Sequence, residues 1–218
     1  YLGRDVEIRL VYGTRSSLSV SFSGTLLAAL IGITMGVLAG LNPGWVDDLV
    51  GFLINARQSI PSVLMGIIVA TIFGSSTQMM IILIGFVGWT RFARYTRAQV
   101  IQIRSENFIE CSRAIGASTP RIFAEHILVN IASPLIVTAT LNLSSNILLE
   151  NTLSFLGLGI QPPQTSLGVM VSSGRNHLMT NWWLAIAPSA MIVIIILIVS
   201  LVGDWLRDRL DPKLQRNR

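Results

Sequence analysis

Charge is what this chain has least of. Only 12% of its 218 residues are charged, against 51% hydrophobic, and the mean hydropathy is +0.63. So little polar surface excludes a soluble globule and divides the chain among several membrane segments. A single cysteine, Cys111, excludes an intrachain disulfide framework. Two distant histidines, His126 and His177, make no metal motif, and the scattered Met170 and Met179 add none, so no metal site is expected. There is no G-x-x-x-x-G-K-[ST] phosphate loop, so the chain cannot hydrolyse ATP by that route. The opening "YLGRDVEIRLVY" lacks the apolar run of a signal peptide. The net charge of +5 does not point to nucleic acid, because the arginines stand beside apolar runs and report topology instead.

What is present is a set of long apolar runs. A helix needs about 20 apolar residues to cross the hydrocarbon, and five candidates meet that need, at about 17–40, 49–73, 78–97, 127–150 and 182–203. The expected fold is therefore all-α, a polytopic membrane helical bundle of five transmembrane helices. Residues 1–16 read as an amphipathic segment ahead of the first span, and 104–126 as a polar connecting loop within the membrane domain 17–218. Gly24, Gly32, Gly36 and Gly40 line one stripe of the first span at the small-residue spacing that lets helices approach closely.

The positive-inside rule orients the spans. Arg4, Arg9, Arg15 and Arg175 fall on one side. On the other lie Arg91, Arg94, Arg97, Arg104, Arg113 and Arg121 together with Arg207, Arg209, Lys213, Arg216 and Arg218. The loop 104–126 and the C-terminus then face the cytoplasm and the N-terminus faces outward. Trp89, Phe92 and Tyr95, interleaved with Arg91, Arg94 and Arg97, read as an interfacial anchor against lipid headgroups.

The polar stretch "ENFIECSRAIGASTPRIFAEH", 106–126, is the oddity. Ser105 is placed to cap a short helix, Gly116 to end it in the left-handed conformation, and Thr119-Pro120 to start another. Such a helix lies across the membrane axis and displays Phe108, Ile109 and Ile115 with charged groups. Being too short to hold itself in water, it wants a partner.

Polar residues inside the spans mark a pathway by default. In the second span Asn55, Arg57, Gln58 and Ser59 precede Pro61, which is expected to kink the helix. The apolar residues there favour insertion by roughly 6 kcal/mol against about 3 for one central arginine, so the span survives the charge. In the fourth span Asn142, Ser145, Asn146 and Glu150 share a broad helical face. Both groups are candidates for a translocation path, with interhelical bonding the alternative for the asparagines and serines.

The loop resembles that of inner-membrane permease subunits of binding-protein-dependent ABC importers, whose pattern is E-A-A, three residues, G, nine residues, I-x-L-P. Glu110, Cys111 and Ser112 stand at the E-A-A positions, Gly116 at the glycine, and His126, Leu128 and Val129 at the I, L and P positions, the first and last departing from it. "LGRDVEIRLVYGTRSSL" at 2–18, "SFLGLGIQPPQTSLGVMVSSGR" at 154–175 and "GDWLRDRLDP" at 203–212 are similar to signatures of the dipeptide, oligopeptide and nickel branch, in its order and spacing. The resemblance implies an importer type I permease core in a bacterial-type inner membrane. It also implies a coupling helix, with Phe108, Ile109, Glu110, Cys111, Ser112, Arg113, Ile115, Gly116 and Ala117 against a cytoplasmic ATPase. The partners it implies are a second permease in a heterodimer, two ATPase subunits that carry ATP and Mg, and an extracytoplasmic solute-binding protein. The outer loop with Pro162 and Pro163 would meet that protein or the paired permease. Members of the branch usually carry one more span ahead of "LGRD", so the chain reads as a fragment. The competing readings are a secondary transporter driven by an ion gradient and, within the same family, a nickel permease.

Overall fold

The computed structural model describes residues 5–114, 116, 118–122, 125, 127–161 and 163–210. Among them the secondary structure is helical throughout, in nine segments: α1 Val6–Leu41, α2 Trp45–Gln58, α3 Ser62–Phe73, α4 Thr77–Arg104, α5 Asn107–Ala114, α6 Thr119–Ile122, α7 Leu128–Phe155, α8 Leu167–Arg175 and α9 Trp183–Leu210. Three of them, α1, α7 and α9, are long and apolar enough to cross a membrane, and α2 with α3 makes a fourth if the bent pair is one span. Helix α4, with 28 residues, is about 42 Å long and lies along α1, which brings the passes to about five.

Helix α1 differs from expectation at its start. Asp5 caps it, its Oδ1 accepting from the Glu7 amide at 2.9 Å, and the helix runs unbroken for 36 residues. No proline interrupts that stretch, and a lone glycine costs a helix only about 1 kcal/mol. Residues 6–16 of the segment read as separate are thus the first turns of the same rod.

Glycines set the packing of α1 on α4. A Cβ on Gly36 would lie 2.6 Å from the Ala93 carbonyl oxygen and 2.7 Å from Thr96 Cβ. Gly24 meets Ile84 and Gly40 meets Val100, so the contacts advance together along both helices and the pair is parallel. Parallel neighbours need one crossing between them, and α2 with α3 supplies it.

That crossing is broken at Pro61, where a kink was expected. Helices α2 and α3 meet at 84°, because Pro61 has no amide hydrogen and its ring obstructs the preceding turn. The Ser59 hydroxyl donates to the Asn55 carbonyl at 3.0 Å, which closes α2. Beyond the break, Gly66 of α3 packs against Leu153 of α7.

The core lies in layers along the bundle. At the α5 end Phe92, Val100, Ile103, Ile109, Ile122, Ile127 and Ile131 are buried together. At the α8 end Val20, Leu83, Ile84, Leu153 and Ile160 form a second cluster. Helix α8 starts at Ser166, whose hydroxyl accepts from the Val169 amide at 3.3 Å. Pro134 and Pro188 sit inside α7 and α9 without ending them.

The glycine contact yields a test. Gly36→Ala should cost about 1–3 kcal/mol through overpacking and lower the thermal midpoint of the detergent-purified protein. Gly51→Ala, where an added Cβ meets nothing within 4 Å and a helical glycine is replaced by a better helix former, should not lower it. Equal midpoints for both variants would contradict close α1–α4 packing.

Candidate functional site

The segment between α4 and α7 is held from one side and open on the other. Helix α4 ends with Ser105, whose hydroxyl donates to the Gln102 carbonyl at 2.7 Å. Ser105 therefore closes α4 and does not cap α5 as expected. The Ile109 amide instead donates to the Glu106 carbonyl at 3.0 Å. Arg104 reaches the Gly40 and Leu41 carbonyls, both at 3.3 Å, where a cation satisfies the unpaired acceptors of α1's C-terminus.

Helix α5 has eight residues, too few to persist alone in water. Ile109 holds it. That side chain, expected on the displayed face, is fully buried among Phe92, Val100, Ile103, Ile122 and Ile127. Burial of one more apolar side chain, worth about 1.5–3 kcal/mol, favours this rotation of the helix. Phe108, 44% exposed, and Cys111, exposed, are left on the outer side, and the Ser112 hydroxyl donates to the Phe108 carbonyl at 2.8 Å. Glu110 and Arg113 are backbone members of α5. Gly116 has φ 86°, the left-handed conformation expected of it. Ile115 and Ala117 lie outside the described residues, as do His126, Pro162 and the basic tail residues Lys213, Arg216 and Arg218. Arg121 of α6 pairs with Glu125 at 2.9 Å.

A second polar group sits halfway along the bundle. Arg91 is the fifteenth residue of α4 and Asn142 the fifteenth of α7, each helix having 28. Arg91 Nη1 donates to Ser145 Oγ at 2.9 Å and to Asn142 Oδ1 at 3.5 Å. Arg94 Nη2 donates to Gln58 Oε1 at 2.7 Å. Arg57, half-buried at the α2–α3 break, donates from Nη2 to Ser62 Oγ at 3.1 Å, while its Nε is buried without a partner. Arg57 lies near enough to feel the charge of Arg91. Asn55, Gln58 and Ser59 are exposed beside it.

One turn further along α4, Arg97 forks onto Asp47 of α2, with Nη2 to Oδ2 at 2.6 Å and Nε to Oδ1. A cleft of about 380 Å³ opens there, lined by Asp47, Asp48, Phe52, Asn55, Arg94 and Arg97. The reading of Trp89 and Phe92 as interfacial anchors fails. Trp89 and Phe92 are core residues at 6% and 0% exposure, and the arginines bond to α2 and α7. Their spacing of three residues already put them on one face. Counted from its cap at Ser76, α4 carries Arg91 at the middle of its length.

Two residues expected on the path are instead packing groups. Asn146 is buried and donates to Thr25 Oγ1 of α1 at 2.8 Å. Glu150 is fully buried and accepts from Ser154 Oγ at 2.7 Å. Nearby, Ser17 of α1 accepts from the Leu167 amide at 3.3 Å and donates to Asn151 Oδ1 at 3.5 Å. The knot ties α1, α7 and the start of α8. Asn142 is buried as well, so of the four polar residues expected on one face of α7 only Ser145 is partly open.

The family model of the "binding-protein-dependent transport system inner membrane component" matches residues 32–216. The di/tripeptide transport system permease protein DppC of Pseudomonas aeruginosa is 38% identical over 98% of this chain and 71% of its own length. The dipeptide transport system permease protein DppC of Bacillus subtilis is 37% identical over 99% and 68%. The glutathione transport system permease protein GsiD of Pectobacterium atrosepticum is 35% identical over 98% and 71%. Among solved structures, an inward-facing conformation of the MetNI methionine ABC transporter superposes with a TM-score of 0.78 at 21% identity. That match covers 94% of this chain and 97% of that one.

Burial of Ile109 generates a prediction about α5. Ile109→Ala should destabilise the protein by about 2–5 kcal/mol, read as a lower thermal midpoint and faster proteolysis after Arg104 or Arg113. Cys111→Ser, on the exposed side, should change neither. An unaltered midpoint for Ile109→Ala would mean that α5 is not held by this contact.

Proposed function

The chain belongs to the family of binding-protein-dependent transport system inner membrane components, and from that membership we propose that α5 is the contact through which separate ATPase subunits drive it. The protein is a multi-pass inner-membrane permease subunit of an ABC importer for peptides. The observation that carries the coupling role is the two-sidedness of α5. Ile109 is sunk in the core with Ile103 of α4, Ile127 at the start of α7 and Ile131 within it, while Phe108 and Cys111 face away from the bundle. A push on the exposed side reaches α4 and α7 together, because packed interiors transmit displacement with little compression.

In this reading α5 and the C-terminal end of α9 face the cytoplasm, and α8 with the start of α1 faces outward. The charge asymmetry between the two sides supports it. Two ATPase subunits bind and hydrolyse ATP with Mg. A second permease, different from this chain, faces the polar side formed by α2, α4 and α7, and the path runs between the two subunits. Asn55, Arg57, Gln58, Ser59 and Ser145 line this chain's half of it, and the buried Asn142 accepts from Arg91. A solute-binding protein delivers cargo at the α8 end. The exposed apolar residues of α9, among them Leu197, Ile198 and Leu201, meet lipid.

Reconstitution tests the coupling. Gly116→Pro asks proline, fixed near φ −65°, to adopt φ 86°. It should cut ATP-driven peptide uptake by the complete importer at least tenfold with membrane insertion retained, and Glu110→Arg, which reverses the charge at the first position of the E-A-A pattern, should do the same. Peptide uptake driven by an ion gradient with no ATPase present would overturn the proposal.

A further inference from the structure

We infer that Arg57, Arg91 and Arg94 form a station at half-depth that binds the carboxylate of the passing peptide. This rests on the reading that the α2–α4–α7 face lines the path, and it names the chemistry that the face recognises.

Four guanidinium groups stand on this face, and their partners divide them. Arg97 is neutralised by a two-pronged bond to Asp47. The other three bind only neutral acceptors, each through one terminal nitrogen: Arg91 to Ser145 and Asn142, Arg94 to Gln58, Arg57 to Ser62. Among the described residues the ion pairs are Arg97–Asp47 and Arg121–Glu125, so the three other cations on this face have no acid of their own. Arg57 also keeps a buried Nε with no acceptor. Cations so placed require an anion or water, and the planar donor fork of arginine fits a carboxylate in two-pronged fashion. Asp47 on Arg97 shows that geometry on the neighbouring turn.

The peptides named for the relatives are chemically apt. A free peptide ends in a carboxylate that is ionised at neutral pH. Several arginines in succession, Arg91 then Arg94 about 4.5 Å along α4, let the group be handed on instead of trapped, as passage requires. Beyond Arg94 the attraction ends, because Arg97 is already paired and Asp47 and Asp48 line the cleft. An anion that reaches that point meets repulsion as well as an open volume.

The experiment uses the complete importer in proteoliposomes, with alanyl-alanine and its C-terminal amide as probes. For each probe the rate of a variant is divided by that of the unaltered importer, so any preference of the binding protein cancels. Arg91→Gln and Arg94→Gln should slow the free acid about tenfold more than the amide, and Arg91→Lys, which keeps the charge, should narrow that difference. Equal slowing of acid and amide would overturn the inference, since the arginines would then answer to an acid of the paired permease or to a lipid phosphate. Ser145→Cys separates the underlying reading: labelling by a membrane-impermeant maleimide above the Cys111 background, reduced by added peptide, places the face on the path. If that thiol is never labelled, the path reading itself falls. If it is labelled while acid and amide slow alike, only the carboxylate station falls. Should Arg91→Gln fail to assemble, the acid-to-amide comparison at Arg94→Gln and Arg91→Lys decides the matter.

Discussion

The close approach of α1 and α4 through glycine is the constraint on which the other features depend. With no side chain at Gly24, Gly32, Gly36 or Gly40, the two backbones come into direct contact, and little rotation of α4 is tolerated. In that orientation Phe92, Ala93, Thr96 and Val100 face the core. Residues Arg91, Arg94 and Arg97 are thereby turned the other way, toward α2 and α7. Packing on one side of a helix has fixed the chemistry of its opposite side. The same contact fixes where α4 ends, and so where α5 begins. Arg104, bonded to the last carbonyls of α1, fastens that end.

Placing arginine at half-depth is costly, at roughly 3 kcal/mol each on the insertion scale. The bundle tolerates it because the side chains lie on a face rich in amide and hydroxyl groups and beside a helix break that frees backbone groups. Glu150, the acid that the sequence places on the same helix as Asn142, does not answer these cations. It is spent in the serine knot between α1, α7 and α8. The bundle thus separates its polar residues into two classes: a sealed knot that fastens helices, and an open row that keeps donors available.

Much of this was legible in the residues, and the failures share one cause. The helical class, the glycine stripe, the left-handed Gly116 and the disruption at Pro61 follow from local rules, since each depends on backbone conformation or spacing within one segment. The orientation of α5 does not. An eight-residue amphipathic helix has apolar groups on more than one side, and only the Ile103, Ile122 and Ile127 pocket decides that Ile109 goes in while Phe108 stays out. Ser105 was misplaced for a related reason: a serine between two helices can close one or open the other, and here the Gln102 carbonyl is what its hydroxyl meets. Glu150 and Asn146 were misread because a helical face says which residues are neighbours, not which neighbour helix covers them.

The interruption at Pro61 gives the two halves of one crossing different allegiances. Helix α2 is clasped to α4 by the Asp47–Arg97 fork and the Gln58–Arg94 bond, whereas α3 nests on α7 through Gly66 and Leu153. Residues 59–61 join the two halves at the 84° break, so any change in the angle between them would fall there. Arg57, seated at that joint and tethered to Ser62 across it, is the charge whose position changes most directly with the angle.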